Sequence, residues 1–129
     1  MDEAVITKSL MAALNLAMPG GVGFKHFDVS TDGIPDISFT WAKRTLWVEV
    51  KYGEGEIRPG QLITMRRLGQ TGIAYYVRFG FRLDGSPRTV IGTPFTFKGK
   101  DVLPPWETDG HDVRKVAAHL RSKMLEKVI

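Results

Sequence analysis

The sequence has no cysteine among its 129 residues. That excludes disulfides, thiolate metal sites and a cysteine nucleophile, and it fits a reducing cytoplasm. No apolar run approaches the length of a membrane span, so no membrane partner is expected. The first residues, with Asp2 and Glu3, lack the basic start of a secretory signal. Repeats, low-complexity tracts and dividing linkers are also missing. The expectation is one domain covering 1–129, large enough for a hydrophobic core. The three histidines, His26, His111 and His119, stand at no spacing that suits a metal, and His119 reads as a surface residue.

Positive charge is present in excess. Lysine and arginine number 18 against 14 acids, a formal net charge of +4, which favours an anionic partner.

Residues 2–17 carry Ile6, Leu10, Ala13, Leu14 and Ala17 at helical spacing, with two acids in the first turn and Met18-Pro19-Gly20-Gly21 as a stop. Gly23 to Val29 alternates like a strand, and Ile37–Trp41 and Leu46–Lys51 are two more. A helix starts at Pro59 and runs to about Leu68, with Leu62, Met65 and Leu68 on its buried side and Gly69 as its stop. Ile73–Phe79 is a further strand, so 46–79 forms a βαβ unit with parallel strands. After it come a turn at Asp84-Gly85 and short strands at Thr89–Ile91 and Phe95–Phe97. A last helix over roughly 110–127 has the stripe Val113, Val116, Ala117, Leu120 and Met124.

The chemistry concentrates in Gly33-Ile34-Pro35-Asp36-Ile37 and Leu46-Trp47-Val48-Glu49-Val50-Lys51. Strand side chains alternate faces. Asp36, Ser38 and Thr40 therefore share one face of the first strand; Trp47, Glu49 and Lys51 share one face of the second. If the strands pair as a hairpin, only a loop of even length brings the apolar faces together. A two-residue loop at Lys43-Arg44, or four residues from Ala42 to Thr45, sets Asp36 opposite Lys51 and Ser38 opposite Glu49. The two acids are then diagonal neighbours, with Cβ atoms about 7 Å apart, close enough to share a hard cation. A solvent-facing side of an antiparallel pair would show the same alternation. What favours a site is that Glu49 and Lys51 end a strand that leads into a helix crossover, where open α/β sheets bind ligands.

Pro35-Asp36, followed thirteen residues after the aspartate by Glu49-Val50-Lys51, resembles the signature of the PD-(D/E)XK nuclease superfamily. Gly33-Ile34-Pro35-Asp36-Ile37, Trp47-Val48-Glu49-Val50-Lys51 and Gln61 in the following helix resemble its VRR-NUC branch, which includes short stand-alone viral and bacterial nucleases. The likeness covers about residues 3–79; residues 80–129 carry no assignable motif. It implies a restriction-endonuclease-like α/β fold: an αβββαβ core with a mixed central sheet flanked by helices, plus a C-terminal helix.

The resemblance also implies a mechanism. Asp36, Glu49 and the Val50 carbonyl would hold Mg²⁺ or Mn²⁺, with Glu3 as a further ligand, direct or through water. Lys51 would position the nucleophile and stabilise transition-state charge, and Gln61 would orient the attacking water or a phosphate. Lys25, Lys43, Arg44, Arg58, Arg66, Arg67, Lys98 and Lys100 are candidates for phosphate-backbone contacts, which position DNA without reading its sequence. Trp41, Trp47 and Trp106 are candidates for stacking on or wedging between bases; Trp41 falls on the apolar face. The implied activity is that of a metal-dependent, structure-selective DNA endonuclease. It would resemble a Holliday-junction resolvase working as a homodimer in a bacterial or phage-infected cytoplasm. A flap, single-strand or restriction-type nuclease is the alternative, as is a non-catalytic DNA-binding protein on the same fold.

Overall fold

The computed structural model describes residues 2–26, 34–95, 97–98, 100–101 and 106–126. Helix α1 (Glu3–Ala17) starts at Asp2, whose carboxylate accepts the Val5 N–H at 2.9 Å, a cap that satisfies one free donor of the first turn. Three strands follow, β1 (Val22–Lys25), β2 (Ile37–Trp41) and β3 (Arg44–Tyr52). Then come α2 (Pro59–Thr71), β4 (Ile73–Phe81) and β5 (Pro87–Gly92). Two short strands, β6 (Phe97–Lys98) and β7 (Lys100–Asp101), pair only with each other, and β8 (Trp106–Asp109) leads to α3 (Val113–Met124).

The main sheet has the order β1-β2-β3-β4-β5-β8. Only β3 and β4 run parallel, joined by α2 as the crossover; the other neighbours are antiparallel. This is the mixed αβββαβ arrangement that the sequence suggests, extended by a hairpin and a final helix.

The sheet's two faces are covered differently. On one, Ile6, Leu10 and Leu14 of α1 and Val116, Ala117 and Leu120 of α3 pack on Ile37, Phe39, Leu46, Val48, Val50, Val77 and Phe79. Phe39 lies across from Gly23, and a Cβ there would stand 2.8 Å from its ring, so the position needs a glycine. On the other face, Met65 of α2 packs with Ala74, Tyr76 and Val90, flanked by Trp47, Leu62 and Leu68. Among the described residues no helix is long and apolar enough to cross a membrane.

Several expectations are corrected. Strand β1 starts at Val22 and ends at Lys25; Phe27 to Val29 lie outside the described residues, as does Gly33. Helix α2 does not stop at Gly69 but continues to Thr71, and the last helix, Val113–Met124, is shorter at both ends than expected. Of the expected strand Phe95–Phe97, only Phe97 is in a strand, and Thr96 is outside the described residues.

The β2–β3 register also differs. The loop is Ala42-Lys43, with φ of 53° and 64°, the left-handed pair that suits a two-residue hairpin. Its even length keeps the faces as expected, but pairing moves by two residues: Ser38 lies opposite Trp47, and Ile37 opposite Val48. Asp36 is thereby brought across from Glu49, not Lys51.

Candidate active site

Asp36 comes just before β2 and Glu49 lies in β3. The Asp36 N–H donates to Glu49 Oε1 at 3.2 Å, and the Val50 N–H donates to Asp36 Oδ2 at 2.7 Å. Val50 thus contributes its amide to the site in this geometry. Lys51 Nζ lies 3.3 Å from Glu49 Oε2. Gln61 Nε2 donates to that same oxygen at 2.7 Å. Gln61 is the third residue of α2 and its Oε1 accepts the Arg58 N–H at 3.2 Å, so the helix start fixes it from behind. Glu3, in the first turn of α1, accepts the Tyr52 N–H at 3.2 Å through Oε2. Asp36, Glu49, Val50, Lys51 and Gln61 therefore meet in one hydrogen-bonded cluster, with Glu3 at its edge.

The polar face of β3 is not solvent-facing. Helix α2 covers it, leaving Glu49 2% and Lys51 8% exposed, which removes the reading of an ordinary solvated strand face. Burial carries an electrostatic cost. It pushes the Glu49 carboxyl up to about 8, with the charge of Asp36 adding to the rise and Lys51 opposing it. Burial raises Asp36 as well; the Val50 N–H opposes that rise, and the charge of Glu3 adds to it.

These residues fit a divalent cation. The donors are oxygens throughout, as Mg²⁺ and Mn²⁺ prefer, and a cation would offset the cost of burying the two carboxylates. Among the described residues no group of three or more His, Asp or Glu side chains is placed to hold a metal. Asp36 and Glu49 would thus be the side-chain ligands, with water filling much of the shell, as is common for Mg²⁺.

The remaining candidates divide. Arg44 is drawn into the fold, where Nη1 donates to the carbonyls of Met124 and Glu126 at the end of α3, the latter at 2.8 Å. Arg58 precedes α2, and Arg66 Nε donates to the Pro94 carbonyl at 3.4 Å. Lys43 and Arg67 are exposed and Lys25 is half-buried; the side chains of Lys98 and Lys100 lie outside the described residues. Trp41 packs against the larger core, donates to the Pro19 carbonyl, and has Arg121 over its ring. His119 is half-buried and stacks on Trp106 at 4.7 Å, contrary to the expected surface position.

Two neighbours were not named from sequence. Arg78 donates to the carbonyls of Gly53 and Gly55 at 2.9 and 2.8 Å and pins the loop between Lys51 and Gln61. It is the single charge in the run Ile73–Phe79, a signal that could have been noticed. Tyr76 is Glu49's partner on β4 and fully buried.

No protein-family model matches the sequence, and no curated protein matches it either. Solved structures do. One is a Holliday junction resolvase, Hjc, from the archaeal hyperthermophile Archaeoglobus fulgidus, with a TM-score of 0.55 and 16% identity over 88% of this chain and 98% of that one. At that identity the likeness concerns the fold. The chain has a restriction-endonuclease-like α/β fold, a mixed sheet between helices shared with that resolvase.

Proposed function

We propose that the chain is a Mg²⁺-dependent DNA endonuclease of the PD-(D/E)XK superfamily, VRR-NUC branch, acting on branched DNA in the manner of a Holliday-junction resolvase. The observation that carries this is the cluster of half-buried Asp36 with buried Glu49, Lys51 and Gln61 at the end of β3, on a fold shared with a resolvase.

Asp36, Glu49 and the Val50 carbonyl would hold Mg²⁺ or Mn²⁺, which supplies Lewis-acid polarisation of the phosphate and a more acidic water. Lys51 brings a fixed positive charge beside that position, where it stabilises charge developing on the phosphate oxygens. Gln61 holds the Glu49 carboxylate in orientation through Oε2. Arg78 fixes the loop that delivers Gln61. Exposed Lys43 and Arg67 are candidates for contacts with the DNA backbone, while Arg44 donates to the end of α3. Cutting a junction symmetrically requires two sites related by a two-fold axis, so a homodimer is part of the proposal, as is a bacterial or phage-infected cytoplasm as its setting.

The test is cleavage of a labelled four-way junction, flap, duplex and single strand with Mg²⁺, Mn²⁺ or EDTA. Metal-dependent cutting of the junction, lost in Asp36→Ala and Lys51→Ala, is expected. Cutting in EDTA would overturn the proposal. Cutting of the flap without the junction would replace the resolvase with a flap nuclease, and tight junction binding with no cutting would make the chain a non-catalytic binding protein. Light scattering at micromolar concentration checks the dimer.

A further inference from the structure

A groove lies at the end of the β2–β3 hairpin and the C-terminal end of α2, reaching along β3 as far as Trp47, two residues from Glu49. It encloses about 480 Å³, with Lys43, Arg44, Thr45, Trp47, Leu68, Gln70 and Ile73 on its walls and no carboxylate among its lining residues. Small-ligand sites commonly enclose roughly 300–1,000 Å³. One part of the wall is apolar (Trp47, Leu68, Ile73) and another offers an ammonium, an amide and a hydroxyl. An aromatic surface next to a cation suits a nucleobase with its phosphate.

Trp47 links the groove to the acids. It precedes Glu49 by two residues on the same face of β3, about 7 Å along the strand. Its ring is braced from behind. His26 stacks on it with centroids 5.8 Å apart and 26° between planes. His26 Nε2 is held in turn at 2.8 Å from Ser38 Oγ, and Ser38 is buried and paired with Trp47 in register. His26 is anchored to the site as well, since its N–H donates to the Asp36 carbonyl at 2.8 Å.

We infer that this groove holds an unpaired nucleotide next to the cleaved phosphodiester bond, with its base against Trp47 and its phosphate on Lys43. The inference rests on the nuclease function proposed above and adds a substrate feature to it. A base inside a duplex is stacked and paired, and would have to be extruded to enter. A base at the foot of a flap or at an open branch point enters directly. The bond cut is therefore one beside a nucleotide that lacks its complementary partner.

Equilibrium binding in EDTA tests this without cleavage. A labelled flap substrate and a matched continuous duplex are titrated with wild type, Trp47→Ala, Trp47→Phe and Lys43→Gly; glycine suits position 43, where φ is 64°. Trp47→Ala is expected to weaken the flap complex roughly 5- to 150-fold, the range for loss of one stacked base, and to lower the ratio of flap to duplex affinity. Trp47→Phe recovers most of the loss. Lys43→Gly, at an exposed turn, lowers the same ratio and keeps the test open if Trp47→Ala does not fold. One abasic position near the branch should reproduce the loss in wild type and add nothing in Trp47→Ala.

Insensitivity to every abasic position, equal losses on flap and duplex, or additive losses would overturn the inference. A change in self-association in place of DNA binding would also overturn it and make the groove an interface between copies. A wild type that binds as expected, yet cuts no DNA with any divalent cation, overturns the nuclease proposal and leaves the groove standing.

Discussion

The two faces of strand β3 stand on the same backbone and are built to opposite rules. Leu46, Val48 and Val50 point to α1 and α3 and are wholly buried in a continuous apolar cluster. Trp47, Glu49 and Lys51 point to α2, where the apolar cluster is smaller and two of the three side chains are ionisable. Burial stabilises the first face in proportion to the area removed from water. On the second, the same burial pushes Glu49 up to about 8 and raises Asp36, so there burial costs stability when these acids ionise. A polar face left in water would have been cheaper. The difference is what the proposed site would require, since proteins commonly accept such costs where chemistry is done.

Substitutions on the two faces should therefore behave differently. The largest loss of stability is expected from Phe39→Ala on the α1/α3 face, since this β2 ring is fully buried in the core against Gly23 of β1. About 3–5 kcal/mol should disappear from urea unfolding; a loss below about 1 kcal/mol would mean that this face does not carry the fold.

The next effect is a pH dependence on the α2 face. The folded-state value of Glu49 is raised above its ordinary 4.5, to about 8. Between those values the folded chain holds a proton that the unfolded chain has released, so stability falls as pH rises through that window and levels off above it. Melting temperatures of the metal-free protein from pH 5 to 8 should drop in wild type relative to Glu49→Gln. Mg²⁺ at pH 8 should raise the wild-type value by binding the folded state. Parallel pH profiles in the two proteins would remove the buried charge from the account.

Smallest is Arg44→Ala. Loss of its bonds to the end of α3 should cost about 1 kcal/mol, seen as a modest fall in melting temperature. The salt slope of DNA binding should stay unchanged. A slope lower by about 0.9 would assign Arg44 to a phosphate after all.

Much of this contrast was legible in the sequence. Alternation in Leu46–Lys51 fixed which residues share a face, and parity excluded odd loops. The register was not legible, because Ala42-Lys43 adopts left-handed backbone without the glycine or asparagine that usually announces it. Burial of the polar face was not legible either, since an acid alternating with hydrophobics reads the same whether water or a helix lies above it. Arg44 looked like a DNA contact because a charge near a hairpin tip gives no hint that the end of α3, some eighty residues later, comes to rest on it. The acid pair itself was found through motif spacing; the amide bonds from Val50 and Asp36 that orient it depend on a register that no motif encodes.

For Glu49→Gln, melting temperature at pH 8 and cleavage of branched DNA in Mg²⁺ are measured on the same preparation. The substitution keeps the shape and an oxygen for Gln61 while removing the buried charge. Without metal the variant should be at least as stable as wild type, and with Mg²⁺ it should cut DNA at least a hundredfold more slowly, roughly the loss expected when a group stabilising transition-state charge is removed. A variant that cuts at the wild-type rate would contradict the account.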